Sequence, residues 1–444
     1  MVEKVFYKTM NSLGPYEKKP HLAVAVSGGC DSLCLSFLAK KWVNSIDGRI
    51  TALLVNHGLR KESDKECIEV KKILKKMNIR CLSFKWKLKK KLKNRVQEEA
   101  RKFRYNIIQD WCFKNNVKHL LVAHHFEDQK ETFLMRLNSN SNIYGLACMP
   151  KVLVKKEIRI LRPFLDIKKE EIIKFLKEKE IKWIEDPSNA STKYFRNKIR
   201  KILPELEKKG LTDIKLRKLI KKAQEERQKI EVKFNYWFKK NVKIYNLGYA
   251  SLNIKSLKLL AKDEFIFNFC KILTIISGST YAPKSRYVYN FYKKIKSNKI
   301  LPHVNLGGCH IFIYKEKLYV SREIFKRSRK QEIDFQFNKI IWDNRFEIKY
   351  EKNNLFLKKG LGKLFFIKQL QLNGWNTILS NNANLKQSLN LPNKVILTLP
   401  AIKNKKNDVL YVPHLKYYSN INNKKEFSNI NFFFKPRMTT SNIY

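Results

Sequence analysis

Residues 27–32, SGGCDS, stand between an apolar, valine-rich run at 22–26 and apolar positions that recur at helical spacing, Leu33, Phe37, Ala39 and Val43. A short run that is apolar at every position suits a strand buried on both faces, as in a parallel sheet. Strand, tight glycine turn and helix therefore follow one another without a spacer. Asp31 or Ser32 is the expected N-cap of the helix. Unpaired N–H groups and the dipole at a helix N-terminus favour an anion. Gly28 and Gly29 permit positive φ and the close approach of a phosphate, and the Ser27 and Ser32 hydroxyls are further donors. Two common phosphate loops do not fit: no lysine follows these glycines, as G-x-x-x-x-G-K-[ST] requires, and the loop does not read G-x-G-x-x-G.

The same alternation continues downstream. Strands are expected at 50–56, 79–84, 118–125 and 158–165, the last ending the sheet. Helices are expected near 62–77, at 95–116, from Glu127, and at 167–180. Residues 1–206 are thus read as an α/β domain with a doubly wound parallel sheet. Residues 207–330 read as mostly helical and heavily charged, with a hairpin at 305–323. Residues 345–444 read as a small α+β domain with strands at 394–399 and 409–413, loops over 381–394 and a partly disordered Asn-rich tail at 419–431. A length of 444 residues accommodates two or three such domains.

Charge narrows the partners. Lys and Arg number 93 against 39 Asp and Glu, a net +54 that points to a polyanion, most simply nucleic acid. Part of the lysine excess also fits an A+T-rich coding sequence, so KWKLKKKLKNR at 85–95 is either an RNA-facing patch or a solvated helix face. No apolar stretch approaches membrane-spanning length, and the first residues lack a signal-peptide core, so a cytoplasmic location is expected. The eight cysteines form no C-x-x-C pair, which predicts a reducing compartment with neither disulfides nor a cysteine metal site.

In an open parallel sheet, ligands bind beyond the carboxyl ends of the strands. Three polar segments fall there: the glycine loop, VNHGLR (55–60) with Asn56 and His57, and AHHFEDQKET (123–132). Asp128 and Glu131, three apart on the expected helix, share a face and with Glu127 make an acidic cluster in a very basic chain. The adjacent His124 and His125 are candidates for contact with phosphate or base on one side and a structural role on the other. Gln97, Arg101 and Arg104 lie on one side of the long helix, and Arg196 and Arg200 are four apart in RNKIR.

The hexamer S-G-G-x-D-S resembles the signature of the pyrophosphate-loop family, whose members cleave ATP between the α and β phosphates and adenylate an acceptor oxygen. Together with NHGLR, EEARKFRY, AHHFEDQKETFLMRL and DPSNASTKYFRNKIR, in that order, the chain resembles the tRNA(Ile)-lysidine synthase family. The later segments LGGC and LPAI…VPHL resemble that family's two C-terminal domains. The resemblance implies an adenine nucleotide alpha hydrolase-like fold, ATP as co-substrate with Mg²⁺, free lysine, and a CAU-anticodon tRNA(Ile) gripped by the two later domains. Cytidine 34 is adenylated on its C2 oxygen, and the lysine ε-amine then displaces AMP. A homodimer is a further expectation.

By the same resemblance Ser27, Gly28, Gly29, Cys30, Asp31, Ser32, Asn56 and His57 bind ATP, with Asp31 holding Mg²⁺ or the loop itself. Asp128 and Glu131 take the lysine ammonium groups, Arg104 faces the reaction centre, and Arg196 meets the lysine carboxylate or the adenylate. His124 is the remaining candidate. One departure stands out: where the family carries R-G-S-G, this chain has Ser139, Asn140, Ser141 and Asn142, whose turn an asparagine can keep in left-handed backbone while the arginine charge is lost. The rival readings are a tRNA thiolase of the same loop family, against which the missing C-x-x-C speaks, and a non-catalytic RNA-binding relative.

Overall fold

The computed structural model describes residues 1–56, 58, 62–86, 96–155, 158–185, 195–279, 281–297, 303–325, 331–332, 339–349, 365–385 and 389–436. They form two compact units, Met1–Lys229 and Ile230–Ser441.

The first unit is built on a six-stranded sheet. Its strands are β1 (His21–Val26), β2 (Arg49–Asn56), β3 (Arg80–Lys85), β4 (His119–Leu121), β5 (Val152–Lys155) and β6 (Ile158–Leu161), in the order β3-β2-β1-β4-β6-β5. All neighbours pair in parallel except β5, which turns back antiparallel on β6. The segment expected to end the sheet supplies its last strand in chain order, β6, while β5, which precedes it and pairs with it antiparallel, takes the edge.

Helices α1 (Val2–Ser12), α2 (Cys30–Asn44), α3 (Ser63–Lys76), α4 (Val96–Lys114), α5 (Phe126–Asn138), α6 (Ile143–Leu146), α7 (Lys169–Glu178), α8 (Phe195–Lys208) and α9 (Asp213–Asn241) complete the series. Two apolar layers explain the doubly wound form. Leu22, Val24, Leu33, Leu38, Trp42, Leu74 and Leu176 fill one face, whereas Ala23, Leu53, Ile108, Leu120 and Ile160 fill the other. Alternate residues of β1 thus serve opposite layers, as a strand buried on both faces must.

The second unit carries two five-stranded antiparallel sheets and one of three strands. The first is β7 (Val242–Tyr245), β8 (Tyr249–Asn253), β11 (Lys317–Arg322), β10 (Cys309–Tyr314) and β9 (His303–Leu306) in that order. Helices α10 (Ile254–Leu259), α11 (Lys262–Ser277) and α12 (Ser285–Lys296) accompany it, with Phe265, Phe269, Leu273, Val288, Phe291 and Ile295 in the shared core. The expected hairpin at 305–323 is the centre of this sheet.

The remaining strands are β12 (Gln331–Glu332), β13 (Lys339–Trp342), β14 (Phe346–Lys349), β15 (Phe366–Gln369), β16 (Pro400–Lys403), β17 (Val409–Val412), β18 (Tyr417–Tyr418) and β19 (Asn431–Phe434). Between them lie α13 (Gln371–Asn381), α14 (Asn393–Ile396) and α15 (Ile421–Phe427). Two expectations fail here. The strand at 394–399 is instead the short helix α14, and the strand begins at Pro400, because Val395 and Ile396 pack on different apolar clusters at helical offset. The Asn-rich tail is ordered as α15 and β19, because Phe427, Ile430 and Phe432 enter a core.

A buried ion triad joins two sheets of this unit. Asp343, in the turn between β13 and β14, accepts from Arg322 of β11 at 2.9 and 3.2 Å and from Arg345 at 2.9 Å. Arg322 also donates to the Gly308 carbonyl at 2.7 Å and Arg345 to that of Gly248 at 3.3 Å. Burial works to lower the Arg345 pKa, opposed chiefly by Asp343. Removing the one carboxylate leaves two buried guanidiniums facing each other. Asp343→Ala is therefore expected to destabilise this unit by about 3–5 kcal/mol, read as a shifted denaturant midpoint with the first unit's transition unchanged.

Candidate active site

The glycine loop folds as its sequence requires. Gly28 takes φ +92°, and a Cβ there would come within 2.6 Å of the Val70 side chain. Its carbonyl accepts from the Ile184 N–H at 3.0 Å. The N-cap of α2 is Gly29 and not Asp31 or Ser32, so that expectation is corrected. Ser32 is buried and turns its Oγ back into the loop, donating to the Gly29 carbonyl at 3.0 Å and accepting from the Ser27 N–H at 3.2 Å. A hydroxyl spent on closing the turn cannot also cap, and Gly29 has no side chain to do so. The first-turn N–H groups are left for an incoming acceptor. Ser27 is exposed at the mouth. Cys30 is buried, its thiol pushed up to about 11 by burial and then by the Asp31 charge, which keeps it an inert packing group.

Asp31 stands in the first turn of α2. Across the carboxyl edge of the sheet, α5 begins just after β4, with His125 as its N-cap. The His125 Nε2 lies 3.7 Å from Asp31 Oδ2 and 3.7 Å from Asp128 Oδ2. Its Nδ1 meets Glu127 at 2.9 Å, and its backbone N–H donates to Asp128 at 3.1 Å. The ring is 6 % exposed, Asp128 13 % and Asp31 26 %. Burial pulls the His125 pKa down, but the Glu127 hydrogen bond and the charges of Asp128 and Asp31 outweigh it and raise the value above the usual 6.5. Burial likewise works against the Glu127 charge, yet the contacts from His125 and from the Lys169 N–H, at 2.9 Å, hold its pKa low. One imidazole ring thus gathers three carboxylates from two strand ends.

Glu131 lies one turn further along α5, buried to 1 % exposure and paired with Arg200 of α8. Asn56, at the end of β2, is buried and bonds the Gly58 N–H at 2.8 Å as well as Asp64. Asp64 in turn meets Lys85 at 3.0 Å, so Asn56 links the end of β2 to α3 and β3. Arg104 sits half-buried on α4, its guanidinium 5.9 Å from the Tyr105 ring. His124 is half-buried beside His125. Asn140 is left-handed at φ +47°, so the turn after α5 keeps the backbone expected of it. His57 and the side chains of Gln97, Arg101 and Arg196 lie outside the described residues.

The structure therefore brings Asp31 and Asp128 together and adds a residue that the sequence named only as half of a histidine pair. The available signal for His125 was positional: it stands three before Asp128, where an N-cap N–H meets an N3 carboxylate. Among the described residues, no trio of His, Cys, Asp or Glu is arranged to hold a metal ion by itself, and no helix is long and apolar enough to cross a membrane.

A family model described as a PP-loop domain matches residues 1–206. Relatives are similar over far more of the chain. A tRNA(Ile)-lysidine synthase of Orientia tsutsugamushi (strain Boryong) is 28 % identical over 98 % of this chain and 98 % of its own. That of Rickettsia felis is 31 % identical over 95 % of each. That of Wolbachia pipientis wMel is 33 % identical over 78 % of this chain and 80 % of its own. At more than 30 % identity over 78 to 95 % of its length to such relatives, the chain belongs to the tRNA(Ile)-lysidine synthase family.

Proposed function

We propose that this protein uses ATP to join free lysine to C2 of cytidine 34 in the CAU anticodon of tRNA(Ile). The observation that carries the reading is the single imidazole that sets Asp31 of the glycine loop and Asp128 of α5 at the same 3.7 Å. A triphosphate at the loop and a cationic amino acid at the acids would then share one edge of the sheet.

The chemistry balances in two steps. The C2 oxygen attacks the α-phosphorus, the α–β bridge breaks and pyrophosphate leaves. The lysine ε-amine, having given up a proton, attacks C2, and AMP departs with the former C2 oxygen. The first step turns a poor leaving oxygen into a good one. The second needs an amine nucleophile in place of an ammonium.

The residue roles in this proposal are those the family resemblance implies, supported by placement where the residues are described. Ser27, Gly28, Gly29, Cys30 and Ser32 cradle the pyrophosphate portion through loop N–H groups and the exposed Ser27 hydroxyl. Asn56 and His57 would meet the adenosine part of ATP, as the resemblance implies. Asp31 offers hard carboxylate oxygens beside the loop, which suit Mg²⁺ when phosphate oxygens and water supply the other ligands. Bound there, the ion would neutralise charge on the departing pyrophosphate. Asp128 is the carboxylate for the lysine ammonium and the candidate proton acceptor. Glu131 assists through the charge it shares with Arg200. Arg104 and Arg196 answer the phosphate and carboxylate charges, and His124 lines the same edge. The two later regions, 207–330 and 345–444, hold the tRNA.

Asp31→Ala is expected to cut tRNA adenylation by roughly 100-fold or more while tRNA affinity stays within about twofold; pyrophosphate release and filter binding measure the two. Asp128→Ala is expected to raise the lysine KM by about tenfold or more with adenylation retained. Normal lysine use by that variant overturns the assignment.

The raised His125 pKa makes a separate prediction. A protonated imidazole contributes its stability in full below the unfolded value of 6.5 and loses it as pH rises through the higher folded value. From roughly pH 6 to 8, the wild-type Tm is expected to fall more than that of His125→Asn. Parallel curves would remove the charge from this ring.

A further inference from the structure

The glycine loop has no lysine of its own, and three carboxylates, Asp31, Glu127 and Asp128, stand at the same edge of the sheet. His125 is occupied with all three of them. A triphosphate brought there meets like charge, and loop N–H groups answer it with partial charges alone.

Lys169 stands where a fixed cation is missing. It is the first residue of α7, which follows the parallel strand β6 and so begins at the carboxyl edge. The chain before it is stitched to the start of α5. The Ile167 carbonyl accepts from the Phe126 N–H at 2.9 Å, and the Lys169 N–H donates to Glu127 at 2.9 Å. Helix α7 also packs on α2, with the Phe37 and Phe175 rings 6.1 Å apart. The Lys169 side chain is half-buried, and its charge reaches the Cys30 thiol in the first turn of α2, where it pulls against the upward push of burial and of Asp31.

Two features set Lys169 apart from its neighbours. Among the described residues its ammonium makes no hydrogen bond or ion pair. By contrast, Lys168 meets Asp213 at 2.7 Å, Lys130 meets Asp213 at 2.8 Å and Lys151 meets Asp166 at 2.6 Å. Cys30 is no counterion, because its thiol stays protonated at about 11. In the same turn, Glu171 is engaged by the Lys168 N–H at 2.9 Å and Glu170 is exposed. The second feature is position. A cation in the first turn of a helix opposes the macrodipole. Asp213 offsets that for Lys168, whereas Lys169 has no such carboxylate among the described residues. Folding therefore gains nothing from this charge, and it lies beside a loop whose first-turn N–H groups await an acceptor.

We infer that Lys169 binds the β and γ phosphates of ATP at the glycine loop, supplying from α7 the charge that a lysine-bearing phosphate loop carries in its own sequence. The site thereby selects ATP over AMP, which lacks those phosphates. The identity of the nucleotide rests on the function proposed above.

The test compares the full wild-type chain with Lys169→Met and Lys169→Gln, which remove the charge, and Lys169→Arg, which keeps it. Binding of ATP, inorganic pyrophosphate and AMP is measured by equilibrium titration, with lysine transfer to a CAU-anticodon isoleucine transcript followed in parallel. Both neutral variants are expected to weaken ATP and pyrophosphate by about tenfold or more and AMP by less than about twofold. Lys169→Arg should stay within about threefold of wild type for all three ligands. The Tm of the neutral variants should equal or exceed that of wild type, since a charge opposing the α7 dipole is gone. Neutral variants that bind ATP as wild type does, or that fold normally and lose AMP equally, overturn the inference. So does a wild-type protein that binds ATP no more tightly than AMP. Wild-type protein that prefers ATP but transfers no lysine overturns the proposed function instead and leaves the titrations to judge Lys169 alone.

Discussion

An imidazole held between carboxylates is the constraint on which the first unit turns. Asp31 and Asp128 come from different strand ends, and a positive charge between them offsets the repulsion of their carboxylates. His125 supplies that charge from the N-cap of α5, the position where its own backbone N–H can also fix Asp128. Burial favours the neutral ring; the Glu127 hydrogen bond and the charges of Asp128 and Asp31 outweigh it and raise its pKa above the usual value. The arrangement stores negative charge in a protected place. It suits the function proposed above, in which Asp31 would meet Mg²⁺ with the nucleotide and Asp128 a positively charged amino acid.

The helices around this edge are fastened by a second set of ion contacts. Asp213, at the start of α9, takes Lys130 at 2.8 Å and Lys168 at 2.7 Å, and these lysines lower its pKa despite partial burial. Arg217 lies 3.6 Å from the Phe126 ring, just after His125. Gln129 pins the Met149 backbone from both sides, at 2.9 and 3.0 Å. The helix that presents Asp128 is thus clamped along its length. Glu131, one turn beyond Asp128, adds a tie to α8 through Arg200.

Residues whose chemistry is local were legible in the chain. The strand-loop-helix at 22–43 needed only an apolar run, glycines and a helical repeat, and β1, Gly28 and α2 followed. Asp128 and Glu131 were visible because helix spacing puts them on one side. What depended on distant partners was not legible. Ser32 looked like a cap until Ser27 and Gly29 claimed its hydroxyl. The tail at 419–431 looked loose because asparagine dominates it, whereas the three apolar residues that order it count only once β14 and β17 supply a surface. Residues 394–399 have strand composition, but a helical turn is what sends Val395 and Ile396 to different clusters. The buried Arg322–Asp343–Arg345 triad joins residues with nothing in their local sequence to mark them.

Net charge misleads most in a chain like this, and the structure shows how to read it. Many lysines here have structural work. Lys130 and Lys168 neutralise Asp213, and Lys403 is buried to 1 % exposure, donates to the Leu370 carbonyl at 2.9 Å and has its pKa pulled down to about 8 by burial. Others offset neighbouring acids on the surface at small net gain. A total of +54 averages over all of these and says little about where a polyanion would lie. The useful quantity is the local one: cations unmatched by any acid beside them. Such a charge gives the free protein nothing, and only a partner with negative charge turns it into binding.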